Sequence, residues 1–118
     1  MKLKIHETEI EKIQGQGHWG KPLIWKETVD TTTAFEVGVS GYDSLEFPEP
    51  KTHEDEEALY IVTGEGTAKI GEEEIDFKAG DCLYIPPNTP HCIKKKPECD
   101  ELKAVYCHSG QKGDKNES

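Results

Sequence analysis

His53 and Glu57 stand four residues apart in Lys51-Thr-His-Glu-Asp-Glu-Glu57. On an extended strand that spacing turns both side chains to the same side. His91 arrives from a second strand-like run, Gly80-Asp-Cys-Leu-Tyr-Ile-Pro-Pro-Asn-Thr-Pro-His91, across two turn signals. Two imidazoles and one carboxylate converging from paired strands could hold a divalent metal ion and leave coordination positions open. A bound ion of that kind takes a small molecule directly or polarises one of its oxygens. The blander role for any one of these histidines is a hydrogen-bonded interior side chain.

The elements that must position these residues read as strands. Pro22 to Val29 is a first strand, and Ala34 to Ser40 alternates with Phe35, Val37 and Val39 on one face. Leu45 to Thr52 is extended, but Pro48 and Pro50 confine it to an edge or a bulge. Ala58 to Thr63 is the strongest strand, and Gly64-Glu-Gly66 turns it into Thr67 to Ile70. Glu74 to Phe77, Cys82 to Ile85, His91 to Lys94 and Leu102 to His108 follow, with Gly or Pro turns between. Short strands at this spacing predict an all-β sandwich or barrel. Residues 1–20 read as an N-terminal arm and loop, 21–108 as one barrel domain, and 109–118 as a disordered polar tail.

The chain has 118 residues, enough for one domain and one core. Its net charge of −10 argues against nucleic acid and anionic membranes, which need a basic footprint. No apolar run is long enough to span a bilayer, and Met1-Lys-Leu-Lys-Ile-His-Glu lacks the apolar stretch of a secretory signal. A cytoplasmic location is the expectation. Four cysteines, Cys82, Cys92, Cys99 and Cys107, form no C-x-x-C pair, so free thiols are expected, with a Cys99–Cys107 bridge as the alternative.

The two motifs resemble the signatures of the cupin family. The first, G-x5-H-x-H-x3-4-E-x6-G, is met by His53, Glu57 and Gly64, with Leu45 at the first Gly and Lys51 at the first His. The second, G-x5-P-x-G-x2-H-x3-N, is met by Gly80, Pro86 and His91, with Asn88 at the second Gly and Lys95 at the Asn. Asn tolerates the left-handed turn that a Gly serves there. The resemblance implies a small jelly-roll β-barrel (a double-stranded β-helix), often a homodimer, with a divalent metal inside the barrel mouth. It implies a small-molecule ligand or substrate and chemistry of dioxygenase, isomerase or lyase type. Iron, manganese, zinc and nickel are all open.

Lys51 has the parity of His53 and Glu57, and an ammonium is repelled by a dication. Three roles are open to it. It turns to solvent and leaves a three-ligand site of His53, Glu57 and His91. It pairs with Glu57 in a metal-free binding or sensing module. Or it acts as a catalytic base or as an anchor for an anionic substrate.

Tyr60 and Tyr84, on strands adjoining the site, are candidate catalytic residues, and Cys82 is the thiol best placed to line the cavity. Glu54, Asp55 and Glu56 read as a solvated loop, with Asp55 able to offer an extra oxygen. His6 and His18 fall in the arm. His108 falls at a frayed strand end facing solvent, with an approach to the barrel mouth as its alternative.

Overall fold

The structure is a computed structural model and describes residues 2–29, 31 and 33–110. The expected polar tail therefore lies, from residue 111 on, outside the described residues. Among the described residues, nine strands follow a single 3-10 turn at Glu7–Glu9. They are β1 (Ile13–Gln14), β2 (His18–Ile24), β3 (Glu36–Tyr42), β4 (Glu57–Thr63), β5 (Glu65–Ile70), β6 (Glu73–Lys78), β7 (Cys82–Ile85), β8 (His91–Lys95) and β9 (Lys103–His108).

They form a six-stranded sheet in the order β1-β2-β3-β9-β4-β7 and a three-stranded sheet in the order β6-β5-β8. Every neighbouring pair is antiparallel. This is the expected jelly-roll barrel. Among the described residues no helix is long and apolar enough to cross a membrane.

Alternation along the strands decides what faces inward. In β4, Glu57, Leu59 and Ile61 are buried while Ala58, Tyr60 and Val62 are exposed. In β9, Ala104, Tyr106 and His108 are buried. The core joins Leu59, Ile61, Leu83, Ala104 and Tyr106 of the large sheet to Ala68, Phe77 and Ile93 of the small one.

β3 presents Glu36, Gly38 and Ser40 inward, in register with His108, Tyr106 and Ala104 of β9. Gly38 is required there, because a Cβ would lie 2.6 Å from the Tyr106 hydroxyl. The Tyr106 hydroxyl donates to Glu36 at 2.6 Å, which satisfies a buried carboxylate beside the core.

Two boundaries differ from the sequence expectation. The glycine-rich stretch of the arm is a hairpin rather than a free loop. Gly17 takes φ +76°, Gly15 N–H donates to the His18 carbonyl at 2.8 Å, and β1 and β2 join the large sheet. The first strand also ends at Ile24 instead of running to Val29. The Thr28 hydroxyl donates to the Leu23 carbonyl at 2.7 Å, and Thr28 and Val29 N–H both donate to the Trp25 carbonyl. Those bonds take backbone groups that a longer strand would have paired.

Residues 43–56 link β3 to β4 across the barrel mouth without a named strand. The link is pinned from the other sheet. Lys51 and His91 exchange both backbone hydrogen bonds at 2.9 Å, and Asn88 N–H donates to the His53 carbonyl at 2.8 Å. Asn88 sits at φ +55°, the left-handed conformation expected of it.

Candidate metal centre

Four segments meet at one point. The 43–56 link supplies His53 and Asp55, β4 supplies Glu57, β8 supplies His91 and β9 supplies His108. His53 is 6% exposed, Asp55 5%, Glu57 6% and His108 0%. The His91 side chain is 11% exposed and lines the adjoining cavity.

Each imidazole has its Nδ1 engaged by an acceptor-only group, which assigns the proton to that nitrogen. His53 Nδ1 meets the Asp55 carbonyl at 3.1 Å, His91 Nδ1 the Thr89 carbonyl at 2.9 Å, and His108 Nδ1 the Asp55 Oδ2 at 3.1 Å. Asp55 Oδ1 lies 2.8 Å from His53 Nδ1 as a charge contact, without hydrogen-bond geometry of its own.

The three Nε2 atoms are thereby turned inward, and all face Glu57 Oε1. The distances are 3.2 Å from His53, 3.9 Å from His91 and 3.5 Å from His108. The rings of His91 and His108 lie 4.8 Å and 4.7 Å from that of His53, edge-on or tilted rather than stacked.

Imidazole lone pairs pointing at a carboxylate oxygen repel unless a cation lies among them. A divalent ion or a proton meets that need. His53, Glu57 and His91 present ligand atoms all within 4.8 Å of one another, which suits one ion. Nitrogen donors with a single carboxylate favour a first-row transition ion over calcium or magnesium.

The electrostatics agree. Burial opposes the charged form of His53, but the hydrogen bond and charge of Glu57, with Asp55 behind, overcome it and raise the pKa. His91 goes the other way: burial lowers its pKa, against the Thr89 carbonyl and Glu57. An ion held there would have to displace the proton that Glu57 favours on His53, whereas burial already favours the neutral form of His91. Uptake therefore weakens on acidification, and the loss begins above pH 6.5, the ordinary imidazole value. Below the His53 pKa the apparent affinity falls about tenfold per pH unit, as single-proton competition requires. Competition titrations across that range check this, and an affinity that is flat until pH drops below 6.5 contradicts it.

Beside the cluster lies a cavity of about 40 Å³, lined in part by Tyr42, Leu59, Ile85, Cys92 and Ile93, with Lys51 and His18 among the remaining walls. The Lys51 side chain is exposed and forms no ion pair with Glu57, so the paired arrangement does not occur.

The expected catalytic tyrosines face away. Tyr60 is 49% exposed and Tyr84 57%, on the outer face of β4 and β7. The Tyr84 hydroxyl donates to Glu56 at 2.8 Å. Tyr60 is three residues from Glu57, an odd offset, so alternation alone sends it outward. Tyr42 is the tyrosine on the cavity. Its hydroxyl meets Ser40 Oγ at 2.9 Å, and burial, reinforced by the charge of Glu57, pushes its pKa far up.

Cys82 is likewise exposed, and Cys92 is the thiol at the cavity; all four cysteines are free. His108 takes the inward position that was the alternative to a solvent-facing strand end. The strand end is not frayed, because Ser109 N–H donates to the Glu56 carbonyl at 3.0 Å and Gly110 N–H to Asp55 Oδ2 at 2.9 Å. Its parity with Ala104 and Tyr106 was the signal that could have found it.

Comparisons with known proteins bear on the fold. The cupin domain family matches residues 43–111. An uncharacterized protein of Methanocaldococcus jannaschii is 43% identical over 44 residues, 37% of this chain and 35% of that protein. The stretch of resemblance thus spans about a third of that relative. Among solved structures, the polyketide cyclase RemF from Streptomyces resistomycificus superimposes with a TM-score of 0.77 at 15% identity, covering 97% of this chain and 83% of that one. KdgF from Halomonas sp. gives 0.72 at 18% identity, covering 95% and 97%. At such identities the likeness is one of fold. The family match spans more than half of the sequence and the motifs fall at the mouth of the barrel: the chain belongs to the cupin family.

Proposed function

We propose that the protein holds a divalent transition-metal ion through His53, Glu57 and His91 and acts on or binds a small molecule in the adjoining cavity. The observation that carries this reading is the convergence of imidazole Nε2 atoms on Glu57 Oε1 with every Nδ1 already committed. A bound ion would supply Lewis acidity toward an oxygen of the small molecule.

The chain's own residues do the rest. Leu59, Ile85 and Ile93 make an apolar wall that excludes water. Tyr42, its pKa raised, stays protonated and offers a hydroxyl beside the ion-binding cluster. Lys51, exposed at the cavity, suits an anionic group on the ligand. A small molecule with an apolar body and one carboxylate or carbonyl fits these walls.

The competing reading is a metal-free binder in which His53 and Glu57 share a proton. The raised His53 pKa favours it. Metal analysis of protein purified without chelator and without added metal separates the two. About one divalent ion per chain, absent from His53→Ala and from His91→Ala, is the expected result. Full metal content in both variants, or a metal-free wild type that gains no ion on dialysis, overturns the metal reading.

A further inference from the structure

The geometry points to His108 as a fourth metal donor, carried in by the last strand to replace the imidazole that Lys51 removes from the family signature. This deepens the metal reading above and rests on it.

Position 51 contributes no side-chain donor to the cluster of Nε2 atoms around Glu57. Lys51 exchanges two hydrogen bonds with His91 and leaves its side chain exposed. On the opposite flank, β9 sets His108 directly across from Glu57 of β4, on the inner face. His108 has no exposed surface, and its Nε2 is buried with no hydrogen-bond partner. That nitrogen lies 3.5 Å from Glu57 Oε1, the atom that His53 and His91 also face.

A purely structural histidine would be expected to bond both nitrogens, because an orphaned buried polar atom costs about 1–3 kcal/mol. Here one nitrogen is bonded and the other is aimed into the cluster. The bonded one is held as a ligand histidine's would be. Asp55 Oδ2 accepts from His108 Nδ1 and from Gly110 N–H at 2.9 Å, so the carboxylate is itself anchored. The same Asp55 lies against His53 Nδ1 through its carbonyl and Oδ1. One residue thus fixes the tautomer of two imidazoles from distant segments, the role of an outer carboxylate behind metal-bound histidines. His53, Asp55 and His108 also present ligand atoms within 4.8 Å of one another, but with both Nδ1 atoms facing acceptors of Asp55, in this proposal Asp55 takes a positioning role behind the two rings.

The resulting donor set is three imidazole nitrogens and one carboxylate oxygen. It is richer in nitrogen than the three-residue site and leaves one coordination position fewer for the small molecule. Such a set selects a first-row transition ion over calcium and magnesium.

Long-range proton–nitrogen correlation spectra of the histidine rings test this on the intact chain, before and after stoichiometric Zn(II). The expected result is that the Nε2 signals of His53, His91 and His108 all move to metal-bound positions with Nδ1 still protonated, while His6 and His18 stay put. Movement of His53 and His91 alone overturns the role of His108 and leaves the three-residue site standing. No movement of any of the three overturns both. The His108 signal is identified by its loss in His108→Gln, or by backbone-linked assignment if that variant does not fold.

Discussion

Glu57→Gln loses the bound metal and weakens divalent-ion affinity by a factor of about 100 or more. The carboxylate is the one formal negative charge at the point where the Nε2 atoms meet. A buried unit charge about 4 Å from another contributes about 4 kcal/mol at an effective dielectric of 20, and a dication doubles the interaction. Part of that is lost to desolvation, so a 100-fold effect, about 2.7 kcal/mol, is a conservative expectation.

Glutamine keeps the shape of the side chain and turns a donor toward Nε2 acceptors, so the apo-protein stays folded. Thermal melting reads the result: the wild type gains stability with added ion by mass action, and the variant does not. A variant whose melting still shifts with metal as the wild type does would contradict the assignment of Glu57.

Asp55→Asn weakens metal affinity by about 10- to 100-fold without removing any ligand. Asp55 Oδ2 accepts from His108 Nδ1 at 3.1 Å and from Gly110 N–H at 2.9 Å. An amide can keep its one oxygen at the Oδ2 position, but its NH2 then takes the Oδ1 position, 2.8 Å from His53 Nδ1, so that donor faces donor. The NH2 then pushes on the His53 imidazole and its tautomer, and a buried donor is left facing another donor, at about 1–3 kcal/mol of folding stability. Competition titration and urea unfolding together read this. Lost stability with unchanged metal affinity would make Asp55 a structural residue only.

The barrel was legible because its strands are short, alternate cleanly and are broken by Gly and Pro at turns. Ala58 to Val62 and Cys82 to Ile85 show this well, since burial follows their alternation residue by residue. His53, Glu57 and His91 were legible because they stand at signature positions, and Asn88 because only a few residue types accept φ +55°.

His108 and Asp55 were not. Their roles depend on which strand pairs with β4 and on the chain after β9 docking back onto residues 55 and 56, both long-range facts. Lys51 lies in a segment with only one backbone bridge, where strand parity no longer fixes direction. The tyrosines show the reverse case. Tyr60 has outward parity relative to Glu57 in the sequence itself, and its side chain follows that parity although its strand adjoins the site.

Crystals grown with Mn(II), Zn(II) or Fe(II) and measured across the corresponding absorption edge test the site most directly. The expected result is one anomalous peak inside the barrel mouth, at bonding distance from His53 Nε2, His91 Nε2 and a Glu57 carboxylate oxygen. A cluster that stays empty while the ion is found on surface carboxylates or thiols would contradict it.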